Sequence, residues 1–337
     1  MSITIEEKTT VSQSILDPKV KIVIPVCRAF HNMDDFSSFD NKVFEFENDL
    51  ISGSFTIRHF EKYADDVLNS FFSIRNFINH SMLYGNTIKY QYLEFTFNLT
   101  HIDRIKSEEK TGLSEKELES LIQSLVIECC EDEYKMFVFT FFLAFPVSTC
   151  FESGEVFVNG KLSSHTDKFI NSFDLEVKEN IDFQKCWNYL HDKSKFEFGQ
   201  SKNNASRFIS ILSKVNESND IISQIFYATM ALESVYARER TESISHQLID
   251  KIKVFLKSEI DKEKLKELYN FRSRYIHGDY DIQLSFLDFE FKKKDKLYEL
   301  LSFIMEILYM TAKRIIEEKI SGVNFDYSYN YSERISY

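Results

Sequence analysis

The stretch "NFRSRYIHGDY", residues 270–280, sets Arg272 and His277 at the end of a segment with helical spacing and follows them with Gly278. At about 100° per residue, positions five apart point roughly 140° apart on a helix, so a long arginine can reach round toward the imidazole and one groove can contain both. Gly278 suits the left-handed residue that ends a helix. His277 then lies in the last turn, where the negative end of the helix dipole favours imidazolium and a proton that comes and goes near neutrality. Such a pair suits transfer at a phosphodiester: histidine moves protons, while a planar, permanently charged guanidinium holds the phosphate oxygens and the charge developing on them. This chemistry calls for no metal and no cofactor. With a 2′-hydroxyl as nucleophile the substrate is RNA, and the products are a 2′,3′-cyclic phosphate and a free 5′-hydroxyl.

Elements that position such a pair are sought in a chain of 337 residues, 43% hydrophobic and 15% aromatic, with 33 Phe against 8 Gly and 3 Pro. That composition predicts two domains with dense cores and short connections. The charge is uneven: residues 1–200 carry 20 Lys and Arg against 32 Asp and Glu, whereas the remaining 137 carry 21 of each. A polyanion is therefore expected to meet the C-terminal part. The five cysteines, Cys27, Cys129, Cys130, Cys150 and Cys186, lack paired zinc spacing and read as reduced structural thiols. The N-terminus lacks the pattern of a signal peptide, and the longest apolar run is too short to span a bilayer. A cytoplasmic protein without a membrane partner is the expectation.

Along the chain, "VKIVIPV", "KVFEFENDLISGSFTI" and "NTIKYQYLEFTFNLTHI" read as strands, and residues 58–82 have apolar side chains at helical spacing. Ser114 and Glu117 form a capping box that opens a helix. The apolar run Met136 to Pro146 reads as a buried strand, and "ESGEVFVNGK" as a hairpin. From about Asn203 the pattern is helical almost to the end, with four or five helices and with Ser218, Asn219 or Asp220 as the cap of the second. The expected organisation is a mixed α/β domain over 1–200, an antiparallel helical bundle over 201–320, and a tyrosine-rich tail over 321–337 that is loosely ordered or docked on a partner.

The helical segments "IFYATMALESVYARE", "SHQLIDKIKVFL" and "LKELYNFRSRYIHGD" with a long closing helix resemble the Apea-like branch of the HEPN superfamily over roughly residues 203–320. Arg272, Ser273 and His277 match that family's signature of an arginine, a polar residue and a histidine, and Gly278 matches its flavour as well. The resemblance implies an all-α, HEPN-like antiparallel four-helix bundle after the α+β N-terminal domain. It also implies metal-independent endoribonuclease activity and a homodimer whose two motifs form one cleft, in a toxin or an abortive-infection antiviral effector. His277 would serve as general acid and base and Arg272 as the phosphate clamp. The competing expectation is a catalytically silent HEPN module that binds RNA or a protein partner.

Several side chains stand beside the motif. Glu233 lies on the helix that such bundles pack near it, either pairing with Arg272 or sitting on a helix surface. Arg274 is placed to contact RNA backbone or to face solvent, and Tyr275 to pack or to meet RNA. Lys292, Lys293, Lys294 and Lys296, with Lys262, Lys264 and Lys266, line an approach path for RNA, tRNA among the candidates, or form a solvated face. Arg75 and His80 repeat the spacing with Asn76 after the arginine, either as a second HEPN site or, since strands flank the segment on both sides, as a chance match on an ordinary amphipathic helix. His191 and Cys186 lack further ligands at metal spacing and read as core or interface residues. Residues 1–200 carry no phosphate loop or nucleophile motif and suit a sensor, a cover for the nuclease, or a surface for an inhibitory or activating protein.

Overall fold

The computed structural model describes residues 19–28, 38–47, 51–63, 89–101, 114–146, 149–151, 154–166, 180–197, 200–218, 220–237, 244–279 and 291–325. They fall into two compact units, Met1–His191 and Asp192–Tyr337. The division comes ahead of the expected position at 200, because a short hairpin of β8 (Phe196–Glu197) and β9 (Gln200–Ser201) leads directly into the first helix of the second unit.

The first unit is α+β. Strands β1 (Val20–Arg28), β2 (Val43–Glu47), β3 (Ser52–Tyr63), β4 (Lys89–His101), β5 (Thr149–Phe151), β6 (Glu155–Val158) and β7 (Lys161–His165) form one sheet in the order β2-β3-β4-β1-β6-β7, with β5 paired to β1. Alternation puts Ile22 and Ile24, Phe44 and Phe46, Phe55 and Ile57, and Phe95 and Phe97 into one core. Asn159 and Gly160 close the β6–β7 hairpin with φ 50° and 79°, the mirror-image turn that favours this dipeptide.

Against that core lies α1 (Glu115–Ala144), started by the expected box: Ser114 accepts from the Glu117 amide, and Glu117 accepts from the Ser114 amide at 2.8 Å. The helix runs through the segment expected to be a strand, since Met136–Ala144 is its last part. Residues 137–144 are all buried, and a helix enclosed on every side has the same unbroken apolar sequence as an interior strand. With no Gly or Pro between Glu115 and Ala144, nothing stops the helix before Phe145. The helical spacing from Arg58 also misleads in part, because Arg58–Tyr63 completes β3. The rest of that segment, including Arg75 and His80, lies outside the described residues.

A second helix, α2 (Phe183–Leu190), is capped by Asp182 and joins the core through Trp187, whose indole donates to the Glu45 carbonyl. His191 has Nε2 at 2.9 Å from Glu133 and its ring against Trp187, while Cys186 is buried; both are structural. Phe137 is the hub of the ring cluster, within 6.5 Å of Phe39, Phe44, Phe55, Phe95, Phe141 and Phe183.

Among its described residues the second unit holds five helices, where four or five were expected: α3 (Asn204–Glu217), α4 (Ile221–Tyr236), α5 (Ile244–Leu256), α6 (Lys262–Ile276) and α7 (Phe291–Glu317). Asp220 is the cap of α4, accepting from the Ser223 amide at 2.8 Å. Helix α4 packs against each of the other four. The first residues of the tail dock on this unit itself. Asn204 brackets Val323 with hydrogen bonds of 2.6 and 2.9 Å, and Phe325 packs against Tyr236 and Phe255. Among the described residues no helix is long and apolar enough to cross a membrane.

Replacing Phe137 by Ala removes the ring shared by sheet and helix, and a loss of about 3–5 kcal/mol is expected. Urea unfolding followed by tryptophan fluorescence reads it, since Trp187 sits in the same core.

Candidate functional site

Helix α6 begins at Asp261, whose carboxylate accepts from the Glu263 and Lys264 amides at 3.0 Å. Leu265, Leu268 and Phe271 are its buried stripe. Its end is closed as the sequence predicts. His277 is the C-cap, Gly278 is left-handed at φ 74°, and the Asp279 and Gly278 amides donate to the carbonyls of Arg274 and Tyr275 at 2.9 and 3.3 Å. This double closure satisfies carbonyls that the helix leaves free. It leaves the His277 side chain exposed at the helix end.

Arg272 reaches across to α4 and pairs with Glu233, Nη2 to Oε2 at 3.1 Å, each side chain 22% exposed. Glu233 is the only charged residue of α4, so the partner for the guanidinium is set by a single carboxylate. Burial raises the Glu233 carboxyl, and this outweighs the opposing pull of the Arg272 charge and of the Tyr269 hydroxyl. Burial likewise lifts the Tyr269 phenol well above its ordinary value, helped by the Glu233 charge. Three atoms here are buried without a hydrogen-bond partner among the described residues: Arg272 Nε, Glu233 Oε1 and Tyr269 Oη. Tyr269 was not picked out from the sequence. Its signal was the position three before Arg272, one turn back on the same face.

Ser273 is exposed, and its carbonyl accepts from the His277 amide at 3.0 Å. Arg274 is exposed and folds toward the Asp279 carbonyl at 3.4 Å. Tyr275 packs, its ring nearly parallel to Phe271 at 6.4 Å. Lys292, Lys293 and Lys294 fall inside the first turn of α7. Three of the other four expected lysines, Lys264, Lys266 and Lys296, are engaged with carboxylates. Lys264 meets Glu299 at 2.9 Å and Lys296 meets Glu267 at 3.0 Å, both tying α6 to α7, while Lys266 meets Glu263 at 2.9 Å within α6. The Glu267 contact raises Lys296, and the Lys264 contact lowers Glu299. An approach path built on these three lysines would first have to break their pairs.

The arrangement sets a half-buried guanidinium, held from one side by a carboxylate, on the helix that ends in an exposed imidazole. It has the parts for gripping an anion and moving a proton. The chain matches no protein-family model, no curated protein and no solved structure.

Two outcomes follow from this geometry. With its pKa raised, Glu233 keeps its proton longer in the native state than in the unfolded chain, so it withdraws stability as pH climbs from the ordinary carboxyl range through the raised value. Glu233→Gln is expected to remove that fall, which a series of urea titrations from pH 4 upward reads as a flatter curve. Gly278→Ala has open space around its new methyl but a left-handed backbone, so a loss of about 1 kcal/mol is expected in thermal unfolding, with the helix retained.

Proposed function

We propose that this protein is a metal-independent endoribonuclease of the HEPN kind. The observation that carries the reading is Arg272, held by Glu233 on the helix whose exposed C-cap is His277. His277 takes the proton of a 2′-hydroxyl, the 2′-oxygen attacks phosphorus, and the bond from phosphorus to the 5′-oxygen breaks. Arg272 holds the nonbridging oxygens as charge builds on them. The leaving 5′-oxygen takes a proton from a second acid, and a homodimer that joins two motifs through the helical unit would supply it from the other copy. Ser273 stands beside the clamp, and Arg274 with Lys292, Lys293 and Lys294 meets the RNA backbone. The acidic N-terminal unit directs or restrains the enzyme, or takes an inhibitory or activating protein. A cytoplasmic toxin or antiviral effector is the role this suits.

A second reading has its own support: Arg272 is already paired, and so are Lys264, Lys266 and Lys296. A silent module that binds RNA or a protein partner would tolerate such pairing. Incubating tRNA and total RNA with the protein in EDTA separates the two. The ribonuclease predicts fragments with cyclic phosphate and 5′-hydroxyl ends, reduced about 10²–10⁴-fold by His277→Ala and strongly by Arg272→Ala. Fragments that persist unchanged in His277→Ala, or RNA bound and left whole, would favour the silent module.

A further inference from the structure

The chemistry of the three unpartnered atoms beside Arg272 is complementary. Arg272 Nε is a donor, Glu233 Oε1 an acceptor with two lone pairs, and Tyr269 Oη a hydroxyl able to donate, all buried and without partner among the described residues. Arg272 and Tyr269 are one turn apart on α6, and both exert their charge or dipole on Glu233 of α4. The contact already made, Nη2 to Oε2 at 3.1 Å, becomes one rung of a side-on pair if Nε closes on Oε1 as the second. If Oε1 accepts from both Nε and the Tyr269 hydroxyl, all three atoms are satisfied at once. Buried polar atoms left unpaired carry a cost that this closure removes.

We propose that Tyr269 is a positioning residue of this site: its hydroxyl donates to Glu233 Oε1 and holds the carboxylate along the Nε–Nη2 edge of Arg272. The opposite edge, with both hydrogens of Nη1 and the outer one of Nη2, is thereby left for the two nonbridging oxygens of one phosphodiester. This rests on the proposed use of Arg272 as an anion clamp, yet the clamp geometry can be read with no RNA present. Tyr269 itself touches no substrate and acts through Glu233. A tyrosine kept for packing alone would leave the arginine edge unchanged when its hydroxyl is removed.

The experiment is NMR of the arginine Nε–H groups in the full chain, with the Arg272 signal assigned by its loss in Arg272→Lys. A resonance for Arg272 in slow exchange with solvent is expected in the wild type. In Tyr269→Phe it should exchange faster by roughly tenfold, the equivalent of about one net hydrogen bond, with circular dichroism unchanged. Unaltered exchange and chemical shift in Tyr269→Phe would overturn the proposal, as would wild-type Nε–H exchange no slower than that of exposed arginines. Should Tyr269→Phe not fold, Glu233→Gln reads the same edge, with accelerated exchange expected and unaltered exchange overturning. Titration with inorganic phosphate should then move the Nη signals of Arg272 while its Nε–H stays protected; loss of that protection on phosphate addition would also overturn it. A protein that shows the clamp but cuts no RNA would sink the ribonuclease reading and leave this one standing.

Discussion

Glu233 carries the only charge on α4, the helix against which all the other helices of its unit pack, and burial works against that charge. A carboxylate taken out of water needs a partner, and removing one member of such a pair leaves the other uncompensated at a cost well above that of an exposed ion pair. Arg272 is that partner, which ties the rotation of α6 about its axis to α4. Once that rotation is set, Leu265, Leu268 and Phe271 face inward and His277 ends at the solvent edge. The polar contact and the apolar stripe specify the same arrangement.

A different logic holds the N-terminal unit. Phe44 and Phe46 on β2, Phe55 on β3, and Phe95 and Phe97 on β4 share one face of its sheet, and the ring contacts run from that face through Phe137 to α2. Aromatic pairs of this kind add directional preference to area burial, beside the Val, Ile and Leu side chains that fill the same core. The acidic excess of residues 1–200 is carried by this unit's sequence, so a polyanion meets repulsion there and near-neutrality in the helical unit. On the proposed reading this confines RNA to the half of the chain that holds Arg272 and His277.

Part of the basic charge of the helical unit is taken up within the unit itself. Lys264 and Lys296 spend their charge on Glu299 and Glu267 across the α6–α7 seam, where they join two helices. Charge on a helix surface is shared with the next helix before it is offered to a ligand. Half-burial of Arg272 works in the opposite sense, since a guanidinium with fewer waters to displace attracts an anion more strongly.

Local chemistry made much of this legible from sequence. The capping box at Ser114, the Asn159–Gly160 turn, the Gly278 stop and the five helices of the second unit each depend on residues within a few positions of one another, so the sequence alone determined them. It also placed Arg272 and His277 on one helix end and offered Glu233 as a partner. Only the tertiary structure decided between readings that share a local pattern. An apolar run enclosed on all sides is the same string in a helix and in an interior strand, and packing made Met136–Ala144 helical. Which carboxylate an arginine meets, whether a lysine faces water or another helix, that Tyr269 lies beside Glu233, and that Val323 and Phe325 fold back on the bundle all depend on contacts between residues far apart in the chain. Those contacts exist only once the helices have packed.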